Sequence, residues 1–457
     1  MVKELESYHA IYSPFFRTEQ QRTASYHYLA GLLDPEIKRK SVENIALATV
    51  GMAGVRPLQT FVGVSQWSDG AILAEHRRQT GFTFGTPTGV IIIDGSDCAK
   101  QGDYSVGVQR QWCGELGKQA NCQAGVYLGY SSEQGYTLLD RRLYMPECWF
   151  TPAYAEQRYK SRVPIGLTFQ TKNELAWAML ADLQQAATLP ARWLTMDEAF
   201  GRDTHLLDHI ANATPYFYLA EVPKDTRVWL ETPATYLPEY TGQGRPPTLR
   251  QRAQDAPSAC TVAALAAHLP ADAWTIHALK AGAKGLILAS IARLRVVTVR
   301  EGLPGPQVWL VLRRSLTEPT ELHYFLSNAP ADIDPNELIH VCALRWPIET
   351  MFEQAKQFVG LNHYETRTWW GWHHHMTLVI LAFGFLARCQ AWLKPDAPAL
   401  TLPQVVDLLK AVLPKPDFDA QAALVLLRYK QLRIARAKKS HYFMQKERVI
   451  DPLLVPQ

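Results

Sequence analysis

Gly89-Val90-Ile91-Ile92-Ile93-Asp94 is the stretch on which the fold turns. Five apolar or small residues are too few for a helix, and their β-branching favours a short buried strand. The run stops on a carboxylate. A second run, Trp193-Leu194-Thr195-Met196, stops in the same way on Asp197 and continues as Glu-Ala-Phe-Gly201. Between the two, Asn173 to Ala187 has the spacing of an amphipathic helix. After them Asp203 to Ala213 reads as a helix and Tyr216-Phe-Tyr-Leu-Ala220 as another strand. Strands followed by helix, strand, helix and strand predict an α/β domain with a mixed sheet. Asp94 and Asp197 are then expected at strand ends on a rigid sheet edge, where carboxylates can serve divalent cations.

Outward from this nucleus the chain changes character several times. Residues 1–85 read as mostly helical, with Arg17, Arg22, Lys38, Arg39 and Lys40 as candidate phosphate contacts or simply a solvated face. From residue 86 to 222 strands dominate, including Ser105 to Arg110, Gln123 to Tyr130 and Tyr136 to Tyr144, with glycines at 102, 107, 114 and 117 marking turns. Residues 223–319 carry a Pro- and Gly-rich stretch, a small helix from Thr261 to His268 and strand-like runs at Trp274, Val296 and Val308. They read as a β-rich insertion. Residues 320–395 return to the α/β pattern with a strand at Leu322, one bent helix or two joined helices from Pro335 to Phe358, and an apolar helix from Met376 to Leu393. Residues 396–457 end in a basic helix that includes Arg433, Arg436, Lys438 and Lys439.

At 457 residues, 47% apolar and 20% charged, the composition is globular, with a formal net charge of only +4. The start of the chain does not resemble a secretory signal, and its apolar runs are expected to pack in a core rather than cross a membrane. The seven cysteines match no zinc spacing and are expected as free thiols of a cytoplasmic protein. Gly282-Ala-Lys-Gly285 is too short for a phosphate-binding loop, and no strand-turn-helix elbow with Gly-x-Ser-x-Gly occurs.

The third acid comes from a helix. In Arg345-Trp-Pro-Ile-Glu349-Thr-Met-Phe-Glu353-Gln-Ala-Lys356, residues 345, 349, 352 and 356 share one broad face. Arg345 and Lys356 flank Glu349 and are candidate phosphate contacts. Asp97 competes with Asp94, Glu353 with Glu349, and Glu198 and Asp203 compete more weakly with Asp197. Asp94 is preferred because it follows the apolar run directly. Lys100, Arg110 and Lys118 form a basic series beside the first acid, suited to a DNA backbone. His373-His374-His375 point in different directions on a helix and cannot chelate one ion together.

Taken with Lys100-Gln-Gly102, Ser105-Val-Gly-Val-Gln-Arg-Gln-Trp-Cys-Gly114, Gly117 to Gln123, Met196 to Gly201, Ser327-Asn-Ala-Pro330 and Gly360 to Arg367, these motifs resemble an IS701-type transposase within the IS4-like DDE superfamily. The resemblance spans about residues 15 to 395. It implies an RNase H-like catalytic domain in two parts (86–222 and 320–395), a β-rich insertion between the second and third acids, and a helical DNA-binding region at 1–85. It further implies a catalytic, metal-binding triad of Asp94, Asp197 and Glu349, with Mg²⁺ as cofactor and Mn²⁺ as substitute. The implied reaction is cleavage at transposon ends, followed by strand transfer into target DNA. The implied partners are DNA with terminal inverted repeats, target DNA and further copies of the chain, with no membrane. Arg345, Glu349 and Lys356 match the family's spacing around the third acid, which selects Glu349 over Glu353. Cys342 stands where the family has a tyrosine. A domesticated site-specific nuclease and a non-catalytic DNA-binding protein on the same scaffold are the alternatives.

Overall fold

The computed structural model describes residues 2–240, 245, 247–282, 285–316, 321–344, 347–413 and 420–450. Five helices come first: α1 (Val2–Tyr12), α2 (Glu19–Leu33), α3 (Val42–Thr49), α4 (Val55–Gly63) and α5 (Asp69–Phe84). Thr18, Ser41 and Ser68 cap α2, α3 and α5 by accepting N–H groups of their first turns. The sheet then begins with β1 (Val90–Ala99), β2 (Gln109–Cys113), β3 (Lys118–Ser132) and β4 (Gly135–Tyr144). Two helices, α6 (Ala155–Lys160) and α7 (Lys172–Ala186), lead to β5 (Trp193–Met196). Next come α8 (Glu198–Gly201), α9 (Thr204–Ala213), β6 (Phe217–Glu221), β7 (Arg227–Trp229), β8 (Thr235–Tyr236), β9 (Gln251–Arg252) and β10 (Cys260–Thr261). The order continues with α10 (Val262–His268), β11 (Thr275–Gly282), β12 (Gly285–Arg300), β13 (Leu303–Ser315), β14 (Leu322–Ser327), α11 (Pro335–Leu344) and α12 (Pro347–Val359). It closes with α13 (Trp369–Leu393), α14 (Leu402–Val412) and α15 (Ala420–Ile450).

The expected mixed α/β architecture with a helical N-terminal region is present. Among the described residues twelve strands form one sheet, in the order β10-β7-β12-β13-β14-β6-β5-β1-β3-β2, with β4 on β3 and β11 on β12. The centre is parallel: β1 pairs β5 and β5 pairs β6, with α6 and α7 leading the chain from β4 to β5 and α8 and α9 linking β5 to β6. Everything outside this centre is antiparallel. Strands from residues 223–319 extend the same sheet, and β14 joins them to it by pairing with β6. Helices cover both faces. Ile91 and Ile93 point into a core shared with α7 and α9, whereas Val90 and Ile92 point into a core shared with α11, α12 and α13.

Helix α13 organises the second face. By length and composition it alone among the described residues could cross a membrane, yet 72% of its apolar window is buried inside the protein. It packs against α2, α4, α5, α14 and β4. Each of its three adjacent histidines is buried and fixes a different neighbour. His373 Nδ1 lies 2.9 Å from the Trp369 carbonyl, and His374 Nδ1 lies 2.9 Å from that of Val62. His375 meets the Tyr28 hydroxyl at 2.8 Å and the Gly360 carbonyl at 3.1 Å. Their divergence on the helix makes them scaffold rather than a metal centre.

Three local expectations change. Asp94 does not end its strand: parallel pairing with β5 stops at Ile93, but antiparallel pairing with β3 carries β1 on to Ala99. Ser105 to Val108 is a turn, with β2 starting only at Gln109, and Gly107 there adopts φ +70°. Lys40 is no surface phosphate contact. It is 2% exposed, and its Nζ donates to the Asp34 carbonyl at 2.6 Å.

Candidate active site

The two strand-borne acids are aligned by backbone register. Ile93 is paired with Met196, the last pair of the parallel ladder, so Asp94 and Asp197 are the residues that follow it on two chains whose strands run about 4.8 Å apart. Alternation puts Asp94 on the face of Val90 and Ile92. Asp197 keeps extended backbone angles (φ −79°, ψ 177°) and falls on the face of Trp193, which shares that core. Both side chains are half-buried. Asp94 Oδ1 accepts the Gly95 N–H at 2.6 Å, and Asp197 caps α8 by accepting the Phe200 N–H at 3.2 Å.

Glu349 reaches the same face from the first turn of α12, where it is exposed. Apolar packing places this helix. Ile348 and Met351 press onto Gly129 of β3, where an added Cβ would come within 2.7 Å of Ile348 Cδ1. One turn on, the Phe352 ring packs edge-on at 5.3 Å against Tyr127, the register partner of Asp94. Glu353 is exposed. At the far end of α12, Lys356 Nζ donates to the Asp97 carbonyl at 3.4 Å and lies 3.8 Å from the Glu115 carboxylate. Among the described residues no three His, Cys, Asp or Glu side chains are grouped closely enough to hold an ion. The register unites Asp94 with Asp197, and the described residues do not close a three-acid ligand group around them.

The competitors and flanking cations have their own places. Asp97 is an odd-numbered neighbour on β1, pointing to the opposite face from Asp94, and its Oδ2 accepts the Gly114 N–H at 2.7 Å, pinning the turn between β2 and β3. Glu198 is exposed and pairs with Arg202, while Asp203 caps α9. Lys100 turns inward: its Nζ donates to the Tyr364 carbonyl at 2.6 Å and stands 4.7 Å over that ring. It sews the 360–367 loop to β1 together with Cys98, whose thiol donates to the Asn362 carbonyl. Arg110 and Lys118 are exposed at the β2–β3 edge. Arg345 lies outside the described residues. Arg433 pairs with Glu43 of α3, and Arg436, Lys438 and Lys439 are exposed along α15. Cys342 is fully buried, its thiol pushed up to about 12 by burial, and the Arg313 guanidinium donates to its carbonyl at 3.3 Å. Such a thiol cannot touch a bound nucleic acid.

Two register-matched carboxylates fit a small hard cation, which typically takes one or two carboxylates and fills its remaining positions with water and substrate phosphate. A further acid belongs to this row. Met196 is paired with Ala220, so Glu221 follows Asp197 across the next parallel pair. The sequence carried a signal for it, since Phe217-Tyr-Leu-Ala-Glu221 is a third short apolar run ending in an acid.

A family profile described as DDE superfamily endonuclease matches residues 12–286, which include Asp94 and Asp197 and stop short of Glu349. No curated protein matches the chain. Among solved structures, a piggyBac transposase synaptic complex with hairpin DNA is similar at 10% identity, over 90% of this chain and 77% of that one. Its TM-score of 0.40 is too low for that likeness to place any residue. The profile covers more than half of the 457 residues, and the chain belongs to the DDE superfamily of endonucleases.

Proposed function

We propose that this chain is a transposase of the IS701 type, within the IS4-like group, that cuts DNA at transposon ends and joins the freed 3′-hydroxyl to target DNA. The observation that carries the reading is the register match of Asp94 and Asp197 on neighbouring parallel strands, inside the stretch matched by the family profile. The strand order β3-β1-β5-β6, antiparallel and then parallel, supports an RNase H-like core. On this reading residues 86–222 and 320–395 form the catalytic domain around the β-rich stretch 223–319, and the N-terminal helices and α15 engage DNA.

In the proposed mechanism Asp94 and Asp197 hold Mg²⁺, with Mn²⁺ as substitute, and Glu349 completes the catalytic set. The ion supplies a polarised phosphodiester and a more acidic attacking water or 3′-hydroxyl. The chain's own residues do the positioning. The sheet fixes the spacing of the two aspartates without loop ordering. Phe352 and Met351 hold α12 against β3, so Glu349 approaches from a set direction. Lys356 and Arg345 are assigned to phosphate oxygens beside it, and Arg110, Lys118, Arg433, Arg436, Lys438 and Lys439 to the DNA backbone. Paired ends call for at least two copies of the chain.

The test is incubation of the full chain with Mg²⁺ and DNA carrying the repeats that flank its gene, with product ends mapped. Cuts at the repeat ends with 3′-hydroxyl termini, joined into target DNA, are expected. Nicking that ignores the repeats would overturn the transposase reading.

A further inference from the structure

We propose that Glu221 is a positioning residue of the same site, a fourth carboxylate that raises the affinity of its Asp197 side for a divalent cation. This rests on the active-site assignment above. Register places it: the ladders pair Ile93 with Met196 and Met196 with Ala220, so Asp94, Asp197 and Glu221 form one row across three parallel strands. All three point to the same face. Glu221 alternates with Ala220, which belongs to the opposite core, and is paired with Phe325, which belongs to the core on the α12 side. With strands about 4.8 Å apart, the Glu221 backbone position flanks Asp197 on the side opposite Asp94.

A third carboxylate in such a row repels the other two unless cations neutralise it or hold it in place. His323 on β14 supplies the anchor. Its Nδ1 lies 2.6 Å from Glu221 Oε1 and its Nε2 lies 3.2 Å from Glu321 Oε1, so both ring nitrogens face carboxylates. The ring stacks on Phe325 at 6.4 Å, and the Arg313 guanidinium lies 5.5 Å over that phenyl ring. The Glu221 side chain is only 14% exposed, so its charge acts in a medium that screens less than bulk water. Carboxylates at metal sites are themselves held by hydrogen bonds, and the imidazole set between Glu221 and Glu321 offers one here. Glu221 thus adds negative charge of defined position next to Asp197 without needing to touch DNA.

The experiment measures Mn²⁺ binding to the full chain by electron paramagnetic resonance titration, alongside thermal melting and DNA binding without metal. Glu221→Gln keeps the shape and removes the charge. It is expected to weaken Mn²⁺ about tenfold, within the range seen when groups that support metal ligands are lost. It should leave melting and metal-free DNA binding unchanged. His323→Leu should weaken Mn²⁺ as well, and His323→Gln, which keeps a donor, should recover part of the loss. Wild-type Mn²⁺ affinity in Glu221→Gln would overturn the inference. Asp94→Asn separates the two levels. If it too binds Mn²⁺ normally, the site assignment itself fails. If it loses Mn²⁺ while Glu221→Gln does not, only the role of Glu221 falls.

Discussion

The parallel strands and the helix α12 bring acids to one face of the sheet by different means. Asp94 and Asp197 are held by backbone: both directly follow the last pair of the ladder between β1 and β5, which sets their spacing. Glu349 is held by side-chain packing, through Ile348 and Met351 on Gly129 and Phe352 on Tyr127. A backbone-held pair is rigid by construction. A packing-held acid is adjustable, and its position is exposed to changes in the core beneath it. In the structure the pair is aligned, while no three-membered ion-binding group is closed among the described residues.

The largest effect expected comes from breaking the rigid half. Asp94→Asn and Asp197→Asn keep the side-chain volume and remove the charge, and each should reduce cleavage in Mg²⁺ to background with DNA binding intact. Residual cleavage by either, mapped on end-labelled DNA, would break the idea that the register-matched pair is the core of the site. A smaller effect is expected from disturbing the adjustable half. Gly129→Val forces the ends of Ile348 and Met351 aside, at a cost of about 1–3 kcal/mol in stability. An ångström of displacement at a catalytic group can cost on the order of a hundredfold in rate. Cleavage should fall tens- to hundredfold while the melted fraction at assay temperature stays low. A variant that loses stability but cleaves normally would show that the α12 position is not tied to its packing on β3.

The smallest effect concerns the scaffold beneath both halves. Burial holds His76, His374 and His375 down at about 4, so these rings stay neutral when folded. In the unfolded chain they take up protons near pH 6.5. Because the folded values are depressed, their contribution is complete above pH 6.5 and is lost as pH falls toward 4, by at most about 1.4 kcal/mol per ring per pH unit. Melting temperature should therefore decline between pH 6.5 and 5. His374→Phe, which keeps the stacking on Trp67 (ring centroids 3.8 Å apart) and cannot be protonated, should decline less steeply. Equal slopes would remove His374 from the account.

The same contrast explains what the sequence made legible. Val90 to Ile93 and Trp193 to Met196 are short apolar runs that stop on acids, and local pattern is enough to make them strands and to single out Asp94 and Asp197. Local pattern could not show that β1 continues past Asp94, because that extension is stabilised by β3, a partner some thirty residues away. Nor could it show that Lys100 turns inward onto Tyr364 or that Lys40 is buried, since a lysine in a basic stretch looks the same in either setting. Glu349 sits on an amphipathic helix that would pass for an ordinary surface element, and only the resemblance picked it out. Glu221 carries the same local signal as Asp94 and Asp197, but its alignment with them depends on two parallel ladders and its anchor on a histidine about a hundred residues away.

The most direct measurement is strand cleavage by Glu349→Gln in Mg²⁺ on DNA carrying the flanking repeats, run beside a binding assay on the same DNA. The account predicts normal binding and no cleavage, since the amide keeps the packing of α12 and loses only the charge. Cleavage at the wild-type rate would contradict it and leave Asp94 and Asp197 without their third partner.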